Sequence, residues 1–138
     1  MLNGLYDAKL DGQPVLAITG LPYHDLIGTK TQQDVELDKL FTDVTVYNAR
    51  VMEAAHVKNV SDLACRAALG YRGVAHITFP VDFQELEVSE PETQRNVSQH
   101  TSNIFSVEAG LQNKKNLDLA ADILNVGEKI AILAGRGA

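Results

Sequence analysis

Apolar positions recur along this chain with two periods, one suited to helices and one to strands. In "LNGLYDAKL", residues 2–10, Leu2, Leu5, Tyr6 and Lys9 fall at helical spacing around Ala8, and Asp11-Gly12 marks the end. After one proline comes "PVLAITG", where the apolar run Val15 to Ile18 predicts a strand buried on both faces, as in the middle of a parallel sheet. Gly20 then opens a long polar loop, "GLPYHDLIGTKTQQD". Residues 35–41, "VELDKLF", predict a short helix with Val35, Leu37, Leu40 and Phe41 inward. Residues 44–51, "VTVYNARV", alternate apolar and polar with β-branched residues at the start, which predicts a strand.

Asn59 has the chemistry of a helix N-cap, with Asp62 three residues later on the first turn. The helix it predicts carries Val60, Leu63, Ala64, Ala67 and Ala68 on one face and closes at Gly70, with Cys65 inward beside Leu69 as a small buried hydrophobe. "GVAHITFP", residues 73–80, predicts a strand stopped by Pro80. From 81 to about 113 the periodicity fades, and the stretch is expected to be a surface linker. A helix over 115–126, striped by Leu117, Ala120, Ala121 and Leu124, and a strand over 129–135, "KIAILAG", complete the pattern.

Helices alternating with strands predict an α/β fold in three layers around a mainly parallel sheet. There are no internal repeats. Three strands make a marginal sheet unless something covers its edges, and one helix with one strand cannot build a second core. Both ends are therefore expected to be cut, in a piece of something larger or in a subunit that borrows elements from a partner. The final "GRGA" sets Gly135 and Gly137 after a strand. That spacing suits either a tight turn or the start of a phosphate-approaching turn whose helix would follow.

Composition narrows the function. With 138 residues, the chain can bury roughly two-thirds of its unfolded surface. It is 45% hydrophobic and 22% charged, ordinary values for a globular protein. A net charge of −6 and a pI near 5.1 leave no basic stripe for nucleic acid. No apolar run approaches the roughly 18 residues of a membrane span. The start "MLNGLYDAKLDG" has no secretory pattern, and a single cysteine cannot staple the fold. A reduced, cytoplasmic protein is the expectation, which makes the sequons at Asn59 and Asn96 chance matches.

Several segments, in order, resemble the thiamine-diphosphate-dependent enzymes of the pyruvate oxidase and acetolactate synthase group. "LNGLYDAKLDGQPVLAITG" is similar to a helix–strand unit in the second half of their pyrimidine-binding domain. "IGTKTQQDVELDKLFTDVTVYNARV" is similar to the loop, short helix and strand that follow. "GVAHITFPVDFQ", with Pro80 and Asp82, is similar to the last strand of that domain. "LAADILNVGEKIAILAGRGA" resembles the opening of the central domain, which helps bind FAD in oxidase members. The resemblance implies residues 1–85 as a partial pyrimidine-binding domain, 86–113 as a linker and 114–138 as the start of a Rossmann-like domain. The α/β fold would then be incomplete relative to the family's domain. It also implies thiamine diphosphate with magnesium as cofactor, FAD as a further option in the parent enzyme, and a homo-oligomer or a partner chain of the same family. Tyr6 and Asp7 are candidates to face that partner. The family's catalytic glutamate lies upstream of Met1, and the Gly-Asp-Gly metal motif does not occur in this sequence. The chain is thus expected not to be catalytic alone.

Candidate site residues gather after the first strand, at the carboxyl end where open parallel sheets place ligands. Thr19 and Gly20 close the strand and are candidates for cofactor binding. The family's loop reads aromatic, Gln, Glu; the matching positions are Gln32, Gln33 and Asp34. The resemblance implies that Gln33 lies near substrate or cofactor, while Gln32 departs from the aromatic. A solvated helix start with Asp34 as N-cap is the plain alternative. His24 shares the loop and titrates near neutrality, with an ordinary exposed histidine as the alternative. His76, inside a strand, reads as a packed side chain, and His56 and His100 carry no signal. No His, Cys, Asp or Glu pair has metal spacing.

Two functions follow. The first is a fragment or truncated member of a thiamine-diphosphate-dependent 2-oxo acid enzyme. The second is a non-catalytic module that self-associates or pairs with a full-length partner. A nucleotide binder built on Gly135 to Gly137 is a weaker third.

Overall fold

The computed structural model describes residues 1–87 and 113–135. The chain divides into two units, with the boundary between Val107 and Glu108. In the first, α1 (Leu2–Leu10) precedes β1 (Val15–Leu21), a 3-10 turn (His24–Leu26), α2 (Leu37–Leu40) and β2 (Thr45–Arg50). A second 3-10 turn (Ala54–His56) leads into α3 (Val57–Tyr71), β3 (Val74–Pro80) and a last 3-10 turn (Val81–Glu85).

The three strands form one parallel sheet in the order β1-β3-β2. The expected α/β class is what the structure has, in a small, incomplete domain. β3 is central and buried almost throughout, and it rather than β1 is the strand covered on both faces. β1 is an edge strand: Ile18 is 56% exposed and Gly20 is exposed. It also runs on through Thr19 and Gly20 to Leu21, so those two residues lie in the sheet rather than in a closing turn. The apolar runs of β1 and β3 look alike in sequence, and only the crossover order decides which one takes the middle.

Alternation along β3 sends Ala75 and Ile77 to one face and Val74, His76 and Thr78 to the other. On the first face Val60, Ala64 and Ala68 of α3 pack with Val51, Ala75 and Ile77. On the second, Leu5 of α1 packs with Ala17, Phe41, Val44 and Val74. Each fully buried aliphatic side chain here contributes at most about 1.5–3 kcal/mol.

Helix boundaries differ from the expectation in ways that local geometry explains. The 3-10 turn at Ala54–His56 runs straight into α3, so the helix starts at Val57 and Asn59 falls inside its first turns instead of capping it. His56 holds the cap position without a side-chain bond to the helix, its Nδ1 accepting instead from the Met52 N–H at 3.3 Å. Gly70 does not end the helix. Arg72 does, in the left-handed region at φ 51°, with its N–H bonded to the Ala68 carbonyl. Gly73 follows where the backbone passes close to β2, and a Cβ there would lie 2.8 Å from Val46 Cγ1. The buried stripe of α3 is narrower than expected: Leu63 and Leu69 are 42% and 64% exposed, and Cys65 is exposed rather than buried. The predicted helix over 35–41 shrinks to Leu37–Leu40, with Phe41 buried and Val35 and Leu40 about half exposed. Tyr6 is tied within the chain, its hydroxyl donating to Asp43 Oδ2 at 2.8 Å while Lys9 Nζ also bonds Asp43.

The second unit contains α4 (Lys114–Asn125), whose N-cap Asn113 accepts from the Asn116 N–H at 2.9 Å. Its stripe is exposed within the unit, Leu117 by 55% and Leu124 by 44%. Residues 129–135 form no strand and Leu133 is 98% exposed, because a strand needs a ladder partner and the described residues of this unit offer none. Most of the expected linker, 88–112, and Arg136 to Ala138 with the glycine turn lie outside the described residues. The described start of the polar stretch is the ordered 3-10 turn Val81–Glu85, with Phe83 packed against the α3-side core.

Candidate functional site

Toward the carboxyl ends of the strands, the face shared with α1 and α2 turns from apolar to polar. His76, fully buried on the central strand, bonds to both neighbours. Its Nε2 lies 2.8 Å from Thr19 Oγ1 on β1, and its Nδ1 lies 2.8 Å from Asn48 Oδ1 on β2. Asn48 Nδ2 donates to the Asp38 carbonyl at 2.5 Å, which leaves its Oδ1 as the acceptor facing His76. The ring proton therefore sits on Nδ1, and Nε2 accepts from the Thr19 hydroxyl. Thr19 Oγ1 in turn lies 2.7 Å from the Thr78 hydroxyl. Phe41 stacks on the imidazole with centroids 4.2 Å apart. Burial pushes the His76 pKa down, against the pull of Asp38, so a neutral ring suits this network.

Beside it, Arg50 Nη2 reaches both carboxylate oxygens of Asp38 at 2.7 Å. Burial pushes Asp38 up, but the Arg50 hydrogen bond and charge hold it below the usual carboxylate value. Arg50 Nε is buried without a partner. All of these groups except Asp38 and Phe41 sit on strands, which makes the polar layer a rigid floor.

On the other face of the sheet, an open cleft of about 460 Å³ lies at the carboxyl ends of β1 and β3. Ile18, Thr19, Gly20, Phe79 and Gln84 line it. A Cβ at Gly20 would meet nothing within 4 Å, so the glycine leaves open space. His24, beyond the end of β1, pairs its Nδ1 with Asp82 Oδ2, and its backbone N–H donates to Asp82 Oδ1 at 3.0 Å. Its ring stacks on Phe83, centroids 5.3 Å apart. The Asp82 hydrogen bond raises the His24 pKa, and the charges of Asp82 and Asp25 add to it against desolvation. Desolvation pushes Asp82 up, yet the His24 bonds hold it below its ordinary value.

Further along the loop, Asp34 accepts from the N–H groups of Gly28 at 3.1 Å and Lys30 at 2.9 Å, which holds its carboxyl low. It pins a loop turn and does not cap α2. Gly28, Lys30 and Gln33 all have positive φ, at 82°, 63° and 65°. The non-glycine residues among them carry backbone strain within six positions.

The expected site residues are thus split. Thr19 and Gly20 line the cleft; His24 does not, and pairs with Asp82, two residues before the lining Gln84. Gln32 and Gln33 are exposed on the loop and do not line the cleft, and Asp34 serves the loop backbone. Phe79, Gln84, Asn48 and Arg50 were not singled out by the sequence, since a strand's period does not say which neighbours it meets. Among the described residues no group of three or more His, Cys, Asp or Glu can hold a metal ion. Nor is any described helix long and apolar enough to cross a membrane.

No family model matches the chain. Known proteins do. The chain is 37% identical, over 99% of its length and 23% of the other's, to YdaP of Bacillus subtilis (strain 168), whose name describes it as thiamine pyrophosphate-containing. It is 38% identical over 59% of its length to a pyruvate oxidase of Lactiplantibacillus plantarum, covering 14% of that enzyme. It is 28% identical over 99% of its length to the acetolactate synthase large subunit of Lactococcus lactis, covering 23% of that protein. The chain spans about a quarter or less of these relatives.

Proposed function

Because this chain is, along nearly its whole length, a relative of thiamine-diphosphate-dependent enzymes of the pyruvate oxidase and acetolactate synthase type, we propose that it forms one wall of such a cofactor site. The cleft at Gly20 carries this reading. Ile18 and Phe79 offer apolar surface, Gly20 leaves open space, and Gln84 offers a neutral polar edge. That set suits a flat, uncharged heteroaromatic ring such as the aminopyrimidine. It does not suit the diphosphate, since no Lys or Arg among the described residues lines the cleft, nor magnesium, since those residues hold no carboxylate cluster.

The bound cofactor supplies the carbon nucleophile and electron sink for cleaving a 2-oxo acid. This chain's part is to seat the ring, exclude water from its face and fix the sheet beneath through the His76 network. The diphosphate, magnesium and proton-relay groups come from other segments or another chain. The piece is then a fragment or truncated member, not catalytic alone. FAD, an oligomeric state and a cytoplasmic setting belong to the same proposal.

Calorimetric titration with thiamine diphosphate, with and without magnesium, tests it. Weak saturable binding that ignores magnesium, is lost in Gly20→Leu at unchanged melting temperature, and comes without pyruvate turnover is the expected result. Turnover by the chain alone, or no heat from a folded sample, overturns it.

A second reading rests on the sheet edges. Among the described residues, β1 and β2 each have one unpaired side, and Ile18 and Val46 on them are 56% and 44% exposed. A non-catalytic module that pairs with itself or with a full-length relative would cover them. Light scattering decides: a stable monomer with no affinity for a full-length relative removes this reading.

A further inference from the structure

We propose that His24 and Asp82 form a proton-operated latch, tying the loop after β1 to the turn after β3 beside the cleft. The two residues are 58 positions apart, and three contacts join them or their neighbours. The ring pairs with the Asp82 carboxylate, the His24 backbone N–H donates to the same carboxylate at 3.0 Å, and the ring lies on Phe83. One side of the latch is fixed, because Phe83 packs on the α3-side core. The other side is a loop whose own residues Tyr23 to Leu26 are exposed.

The charges that face the ring are Asp82, from the turn after β3, and Asp25, from its own turn. Both are acidic, so both favour the imidazolium. A neutral imidazole keeps one N–H to donate but loses the charge, and an exposed neutral contact of this kind holds weakly. The latch is therefore tight when His24 is protonated and loosens as pH rises through its pKa. Linkage sets the size: each unit by which the latch raises that pKa means a tenfold tighter closure on protonation. The device works on the loop bordering the cleft whichever ligand the cleft takes, so it stands or falls apart from the cofactor reading.

The test is a pH titration of the labelled chain by NMR between about pH 5 and 9. The His24 ring and the backbone amides of residues 24–28 and 82–84 should shift together, with one midpoint above the ordinary 6.5. Asp82→Asn should bring the ring midpoint back toward 6.5, and His24→Gln should abolish the transition in both segments. Unchanged amide shifts at Ala75 and Ile77 report an intact sheet in each variant. A ring midpoint at or below 6.5, or residues 82–84 that do not follow the ring, overturns the latch.

Discussion

The imidazole of His76 accepts the hydroxyl proton of Thr19 across 2.8 Å, and this contact sews the central strand to an edge strand inside the sheet. With Asn48 on its other nitrogen, His76 spans all three strands through side chains as well as backbone. Its removal should cost both volume and hydrogen bonds. We expect His76→Ala to lower stability by about 3 kcal/mol, from a cavity plus orphaned partners at Thr19 and Asn48. Urea unfolding measures it, and a loss below about 1 kcal/mol would contradict the network's role.

His24 and His76 should pull stability in opposite directions with pH. Burial lowers the His76 pKa from 6.5, so the unfolded chain binds its proton first and stability falls as pH drops below 6.5. The Asp82 hydrogen bond raises the His24 pKa from 6.5, so its contribution is full below 6.5 and is lost as pH climbs through the folded value. Melting temperatures between about pH 5.5 and 8 should flatten on the alkaline side in His24→Gln and on the acid side in His76→Gln.

Gly73→Ala should destabilise the chain by about 1–3 kcal/mol, because the new methyl would sit 2.8 Å from Val46 Cγ1 on the neighbouring strand. Val46 is β-branched and has little rotameric room to yield. Adding Val46→Ala should recover most of the loss, which a double-mutant cycle reads directly.

Arg72→Gly should stabilise by about 0.5 kcal/mol, since glycine takes the left-handed cap at φ 51° without penalty. A melting temperature that falls would mean that the arginine side chain contributes more than its backbone costs.

Asp34→Ala should free the loop without unfolding the sheet. The amides of Gly28 and Lys30 lose their acceptor and should exchange with solvent roughly tenfold faster. Acid should do the same to the unaltered chain. The Gly28 and Lys30 N–H groups hold the Asp34 carboxyl below 3.8, so its grip is present above that pH and fades as pH falls through the folded value.

Periodicity located α1, all three strands and most of α3 and α4, because each buries or could bury a stripe its own residues define. It failed where the outcome depends on a distant partner. β1 and β3 carry similar apolar runs, yet crossover order sets one at the edge and one in the centre. Residues 129–135 have a strand's composition and no strand to pair with. The start of α3 was misread because capping chemistry at Asn59 lost to a 3-10 turn that already led into the helix. At the candidate site, the place of Thr19 and Gly20 at the carboxyl end of a strand was legible, and the cleft they line was not. The joining of Thr19, His76 and Asn48 was not, for the three come from separate segments and no local rule links them.

The strand order also dictates how this sheet can come into being. β1 and β2 are made first and do not touch, so neither has a ladder partner until β3 leaves the ribosome. The contact from His76 back to Asn48 closes 28 residues, whereas that to Thr19 closes 57. Doubling a loop costs about 0.6 kcal/mol in closure entropy, which favours β2 and β3 joining before β1. During synthesis "VLAITGL" is thus an unpaired apolar strand for as long as it takes to make the next sixty or so residues. That interval is where a chaperone, or a neighbouring nascent copy, would find it.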